Sequence, residues 1–103
     1  MFTSDVLEQS QTGLKRRLNK AIEAEELAHR TQQCYVHWIC RFMLFHDLPA
    51  PDALDANHAQ RFFVDLSERL ELSRAKLNQA ERALTFFYQQ VLGKPLESWA
   101  VSA

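Results

Sequence analysis

The sequence is short of turn-making residues: 2 Gly and 3 Pro serve 103 positions, too few for the many short strands of a sandwich or barrel. Helices joined by short loops are the economical alternative. No uncharged apolar run reaches about 18 residues, which excludes a membrane-spanning helix. The N-terminus carries Asp5 and Glu8 where a secretory signal would be basic and then apolar, so a cytoplasmic protein without a membrane partner is expected. The 2 cysteines, Cys34 and Cys40, would stand about 9 Å apart along a helix axis, beyond disulfide reach. Thiols rather than a disulfide fit a reducing compartment. An excess of basic charge is also missing: 12 Lys plus Arg against 13 Asp plus Glu give a formal charge of −1, which ordinarily argues against a nucleic-acid protein. What is present is 47% hydrophobic and 11% aromatic residues, enough for one buried core and too much for a disordered chain.

The charge total conceals an arrangement. Residues 47–71 hold Asp47, Asp52, Asp55, Asp65, Glu68 and Glu71 against Arg61 and Arg69, whereas 72–94 hold Arg74, Lys76, Arg82 and Lys94 against Glu81. Residues 29–46 carry Arg30 and Arg41 and no acid. Blocks of this kind arise by chance in short chains; alternatively they mark a basic face and an acidic back.

Hydrophobic periodicity predicts four amphipathic helices. The first covers 4–27 with Leu14, Leu18 and Ala21 or Ile22 on one stripe, Gly13 separating a frayed portion from stable helix. The second runs from Thr31 to about His46, with Tyr35, Trp38, Ile39, Phe42 and His46 within a narrow arc and Phe45 at its edge. Pro49 and Pro51 then break the pattern for roughly eight residues. Asp55 is expected to cap a third helix bearing Ala59, Phe62, Phe63, Leu66 and Leu70, and Ser73 a fourth bearing Leu77, Ala80, Leu84, Phe87, Tyr88 and Val91. Gly93, Lys94 and Pro95 supply its stop. The expected fold is all-α, a compact four-helix bundle.

Such a bundle hosts unrelated functions, so the outward faces must decide. Asn78, Gln79 and Arg82 project from the fourth helix, with Arg74 and Lys76 in its first turn. This is a set of base-edge and phosphate donors, although a merely solvated face has much the same composition. Thr31 can cap the second helix and also donate to a phosphate there. Cys34, His37 and Cys40 occur at spacing three, but Cys34 and Cys40 fall about 120° apart and a tetrahedral metal site needs four ligands. No metal or cofactor is expected. Tyr35 and Tyr88 lie on buried stripes, and no phosphate loop, carboxylate pair or Ser/His/Asp set is visible, so no catalytic residue and no small-molecule substrate are expected.

The run Arg30-Thr31-Gln32-Gln33-Cys34-Tyr35-Val36-His37-Trp38-Ile39, with Arg41-Phe42 and Phe45-His46, resembles the start of the core-binding domain of tyrosine recombinases, specifically integron-type integrases. Ser73, Asn78-Gln79-Ala80, Ala83-Leu84, Phe86, Tyr88 and Val91-Leu92-Gly93 resemble its last helix. The resemblance implies a SAM-like four-helix domain at 14–93, an N-terminal extension at 1–13 and a linker stub at 94–103 toward a catalytic domain expected to be absent from this chain. It further implies a module that clamps duplex DNA at a recombination site during integration of a mobile element. The contacts it implies are Arg30 and Thr31 on the second helix and Lys76, Gln79 and Arg82 on the fourth, with Lys15, Arg16, Arg17 and Lys20 as nonspecific additions. Ala28, Cys40 and Lys76-Leu77 depart from the family pattern, Cys40 standing where a basic residue is common. Duplex DNA and the parent's catalytic domain are the implied partners; whether neighbouring protomers meet on DNA stays open.

Two rivals remain. A helical protein-interaction module follows if Phe86 points outward while Phe87 points in, because an exposed aromatic can anchor a partner helix. An enzymatic reading rests only on Cys34 and His37 and is the weakest.

Overall fold

A helix starts directly after Gly13, whose φ of 93° is a conformation that side chains with a Cβ rarely adopt. The structure, a computed structural model, describes residues 7, 8 and 11–93. Helix α1 spans Leu14–Glu25, and its N-terminal amides are satisfied from outside the helix. The Glu8 carboxylate accepts from the N–H of Gly13 at 3.2 Å and of Lys15 at 3.0 Å. Leu7 beside it is fully buried. Residues 4–6, 9 and 10 of the expected first helix, and the expected stub at 94–103, lie outside the described residues.

Helix α2 spans His29–Phe45 and so starts before Thr31. Its N-cap is Ala28, which has no side-chain acceptor. Thr31 therefore lies inside the first turn and is not the cap expected of it. After α2 the chain turns sharply through Asp47 and Leu48, both at positive φ, into a short 3₁₀ turn at Pro51–Ala53.

Helix α3 spans Ala56–Val64 and begins at Asp55. The Asp55 carboxylate accepts from the N–H of Asn57 at 2.9 Å and of His58 at 3.3 Å, while His58 Nδ1 reaches back to Asp55, 3.2 Å from its backbone nitrogen and 3.0 Å from Oδ1, the reciprocal geometry of a capping box. The helix then widens into a π-helical segment, Asp65–Arg69. Helix α4 spans Arg74–Phe86, capped by Ser73, whose hydroxyl accepts from the Lys76 N–H. It too widens, at Phe87–Leu92, and stops at Gly93 with φ 71°.

The four helices bury one core: Leu14, Leu18 and Ile22 from α1, Trp38, Ile39, Phe42 and Met43 from α2, Ala59, Phe62 and Phe63 from α3, and Ala80, Ala83, Leu84, Phe87 and Tyr88 from α4 and its continuation. Phe42 is its hub, with ring centroids of Phe62 at 5.6 Å, Tyr88 at 6.0 Å and Phe87 at 6.5 Å, tilted or edge-on as aromatic quadrupoles prefer. Helix α1 packs against the widened end of α4, where the Arg17 guanidinium donates to the Val91 carbonyl. The fold is the expected all-α bundle. Among the described residues no helix is long and apolar enough to cross a membrane.

A second expectation fails here. Phe86 does not point outward: it is 8% exposed, and its ring lies 5.2 Å from that of Tyr35 on α2. An ideal α-helix cannot turn both Phe86 and Phe87 fully into one core, since they are separated by about 100°. Here α4 meets two neighbours, so Phe87 fills the centre while α2 covers Phe86 from the side. The expected anchor of a protein-interaction module is a core residue.

Candidate nucleic-acid interface

The longest helix pair, α2 and α4, runs antiparallel along a shared seam. Cys34 Sγ lies 3.8 Å from Gln79 Oε1, while His37, three residues further along α2, feels the charge of Lys76, three residues back along α4. That register sets which outward groups become neighbours. On α2, Arg30, Cys34, His37 and Arg41 recur at steps of four, three and four, within an arc of about 60°. Arg30 therefore stands at the Arg82 end of the seam and Arg41 beyond the Lys76 end. Arg30, Lys76, Gln79 and Arg82 are exposed, Thr31, His37 and Arg41 half-buried.

The seam gathers most of the residues expected to contact DNA but not all the outward groups of α4. Gln79 leans toward α2, whereas Asn78 and Arg74 line a separate cleft with Phe63, Ser67 and Glu81. Arg82 lines a groove beside Tyr35, Thr85 and Phe86, with the carboxylates of Glu25 and Glu81 also on its wall. Of the four basic residues of α1, Arg17 is occupied by Val91 and Gln11, while Lys15, Arg16 and Lys20 line a cleft with Glu8 and Glu23. The α1 cations thus stand beside acids or in structural contacts, away from the α2–α4 seam.

Two residues that were not among the expected DNA contacts, Arg41 and His37, belong to the seam. Arg41 is held flat by its own helix, its guanidinium carbon 5.2 Å from the centre of the Trp38 ring. His37 packs edge-on against the same indole at 5.2 Å. Burial, and then the charges of Arg41 and Lys76, hold the His37 imidazole below its ordinary value. The signal was available in the sequence: the four-three-four spacing from Arg30 to Arg41 places all these groups on one stripe. Cys40, where the resembled family carries a basic residue, is fully buried, so its thiol displaces nothing from the outer face.

The remaining candidate groups serve the fold. Tyr88 donates its hydroxyl to the Asp55 carbonyl at 2.7 Å, and burial raises its pKa, the opposite of an activated nucleophile. Burial likewise lifts the Cys40 thiol to about 11. Among the described residues no group of three or more His, Cys, Asp or Glu is arranged to hold a metal ion. Arg69 forms a two-pronged pair with Asp65, Nε to Oδ1 at 2.6 Å and Nη2 to Oδ2 at 3.0 Å.

Comparison with known proteins gives this arrangement a context. Residues 14–98 match the family described as the phage integrase N-terminal SAM-like domain. Over 63 residues the chain is 38% identical to an integrase/recombinase from Escherichia coli and, to the same extent, to one from Pseudomonas aeruginosa. The matched stretch is 61% of this chain and 19% of each relative.

Proposed function

Because the chain belongs to the family of phage integrase N-terminal SAM-like domains, the N-terminal part of a tyrosine recombinase with a role in site-specific recombination, we propose that it is the module that holds duplex DNA at the recombination site. The domain proper is 14–93 and the DNA-facing surface is the α2–α4 seam. Arg30, Lys76 and Arg82 bind backbone phosphates, Arg41 and His37 extend that track, and Thr31 adds a hydroxyl among the first-turn amides of α2, where the helix dipole favours an anion. Gln79, the amide side chain at mid-seam, is the group suited to a base edge or sugar contact. Chemistry on the DNA belongs to the rest of the recombinase, with which this module acts as a partner.

The observation that carries the reading is the antiparallel register of α2 and α4, which turns basic residues far apart in sequence into one surface, while Asp52, Asp55, Glu68 and Glu71 lie exposed in the segment around α3. Phosphate binding displaces condensed counterions, and each contact adds about 0.9 to the slope of log K against log salt. Half a clamp holds loosely, with Kd on the order of 10⁻⁴ to 10⁻⁶ M at physiological salt. Lys76→Ala and Arg82→Ala are each expected to flatten the slope by about one unit, whereas Arg61→Ala and Arg69→Ala leave it unchanged. Equal effects from all four would refute the assignment.

A further inference from the structure

The proposed DNA face contains one group whose charge is not fixed near neutral pH. His37 lies within reach of the charges of two permanent cations, Arg41 one turn further along α2 and Lys76 across the seam on α4. Trp38 braces this cluster, with the His37 ring edge-on to it and Arg41 over it, each at 5.2 Å. One turn earlier on α2, Cys34 is engaged with Gln79. From the widened end of α3, Asp65 acts on Arg41 and is itself gripped by Arg69. Without DNA, burial and then the two cations disfavour the imidazolium. A phosphate seated by Arg41 and Lys76 brings one negative charge near the ring and offsets part of their field, so the imidazole takes up a proton more readily than in the free protein.

We propose that His37 takes up a proton from solvent as duplex DNA binds, which makes the grip of this face pH-linked. This rests on the α2–α4 seam being the DNA face. The sign follows from linkage: the imidazole titrates higher in the complex than in the free protein, so affinity rises as pH falls through the complex's value and levels off below that of the free protein. Uptake of one proton changes affinity by up to about tenfold per pH unit within that window.

The test titrates the full 103-residue chain with a duplex of fixed sequence, at constant salt, between about pH 5.5 and 8, the range in which histidine switches. The wild type is expected to bind several-fold more tightly at the acid end, and His37→Gln to lose that gain while His29→Gln keeps it. In parallel, the His37 ring signals followed by NMR should titrate at higher pH in saturating DNA than without it. If His37→Gln keeps the wild-type pH profile, or its ring titrates unchanged in the complex, the proton linkage is overturned, and the DNA face stands provided Lys76→Ala still flattens the salt slope. If Lys76→Ala leaves the slope unchanged, the face and the linkage fall together.

Discussion

Replacing Phe86 by Ala separates two views of this molecule. If the ring anchors a partner from the surface, its loss costs the free protein under about 0.5 kcal/mol, as surface substitutions do. In the structure the ring is 8% exposed and packs on Tyr35 at 5.2 Å. Truncating a buried Phe costs about 3–5 kcal/mol in lost transfer energy and cavity formation, and the half-buried Tyr35 can partly collapse into the gap, which favours the lower end. For a chain of this size about 3 kcal/mol lowers Tm by roughly 12–24 °C, a large share of a total stability of about 5–15 kcal/mol. Urea unfolding followed by far-UV circular dichroism reads the change directly, with the midpoint falling and the m-value constant. A Tyr35→Ala/Phe86→Ala double-mutant cycle should return about 0.5–1.5 kcal/mol of coupling for the ring pair. A loss below about 0.5 kcal/mol, with no coupling, would refute the packing described and restore Phe86 as an exposed anchor.

Other consequences are as definite. Tyr88→Phe removes the donor to the Asp55 carbonyl and should cost about 1 kcal/mol in urea unfolding; no loss would mean that this bond contributes nothing. The Asp55 carboxyl is held below its ordinary value of 3.8, chiefly by the hydrogen bond from His58. Its contribution is therefore present above that value and lost as pH falls through the lower folded value. Asp55→Asn should flatten the acid limb of the stability curve, and an unchanged limb would contradict the assignment. Finally, native thiol titration should label half-exposed Cys34 well before buried Cys40, whose pKa stands at about 11; equal rates would show that the core opens readily.

What the sequence made legible is mainly what local chemistry decides. Asp55 and Ser73 cap α3 and α4 as their side chains require, and Gly93 ends the last helix because its left-handed φ suits glycine. The bundle itself follows from four stripes of apolar residues at helical spacing. The start of α2 is not legible, because its N-cap Ala28 cannot cap through its side chain and composition points to Thr31 instead. The widened turns at Asp65–Arg69 and Phe87–Leu92 have no local signature. Phe86 departs from expectation for a related reason: a single buried arc does not describe a helix that packs on two sides. At the site, Arg30 and Lys76 were legible as cations, but their shared surface depends on the Cys34–Gln79 register. Gln79 and Asn78 are both exposed, as their spacing predicts, but adjacent residues on a helix point about 100° apart and so meet different neighbours, Cys34 and the cleft beside Phe63.

The most direct measurement is a map of which residues change when duplex DNA is added to the isotope-labelled chain, read as amide chemical shifts at low salt. The account expects the changes to follow both sides of the α2–α4 seam, at Arg30, Cys34, His37 and Arg41 and at Lys76, Gln79 and Arg82, and to fade as salt is raised. Changes centred on α3 and the widened segment after it, around Arg61 and Arg69, or on the exposed Leu44 and Phe45, with a silent seam, would contradict it.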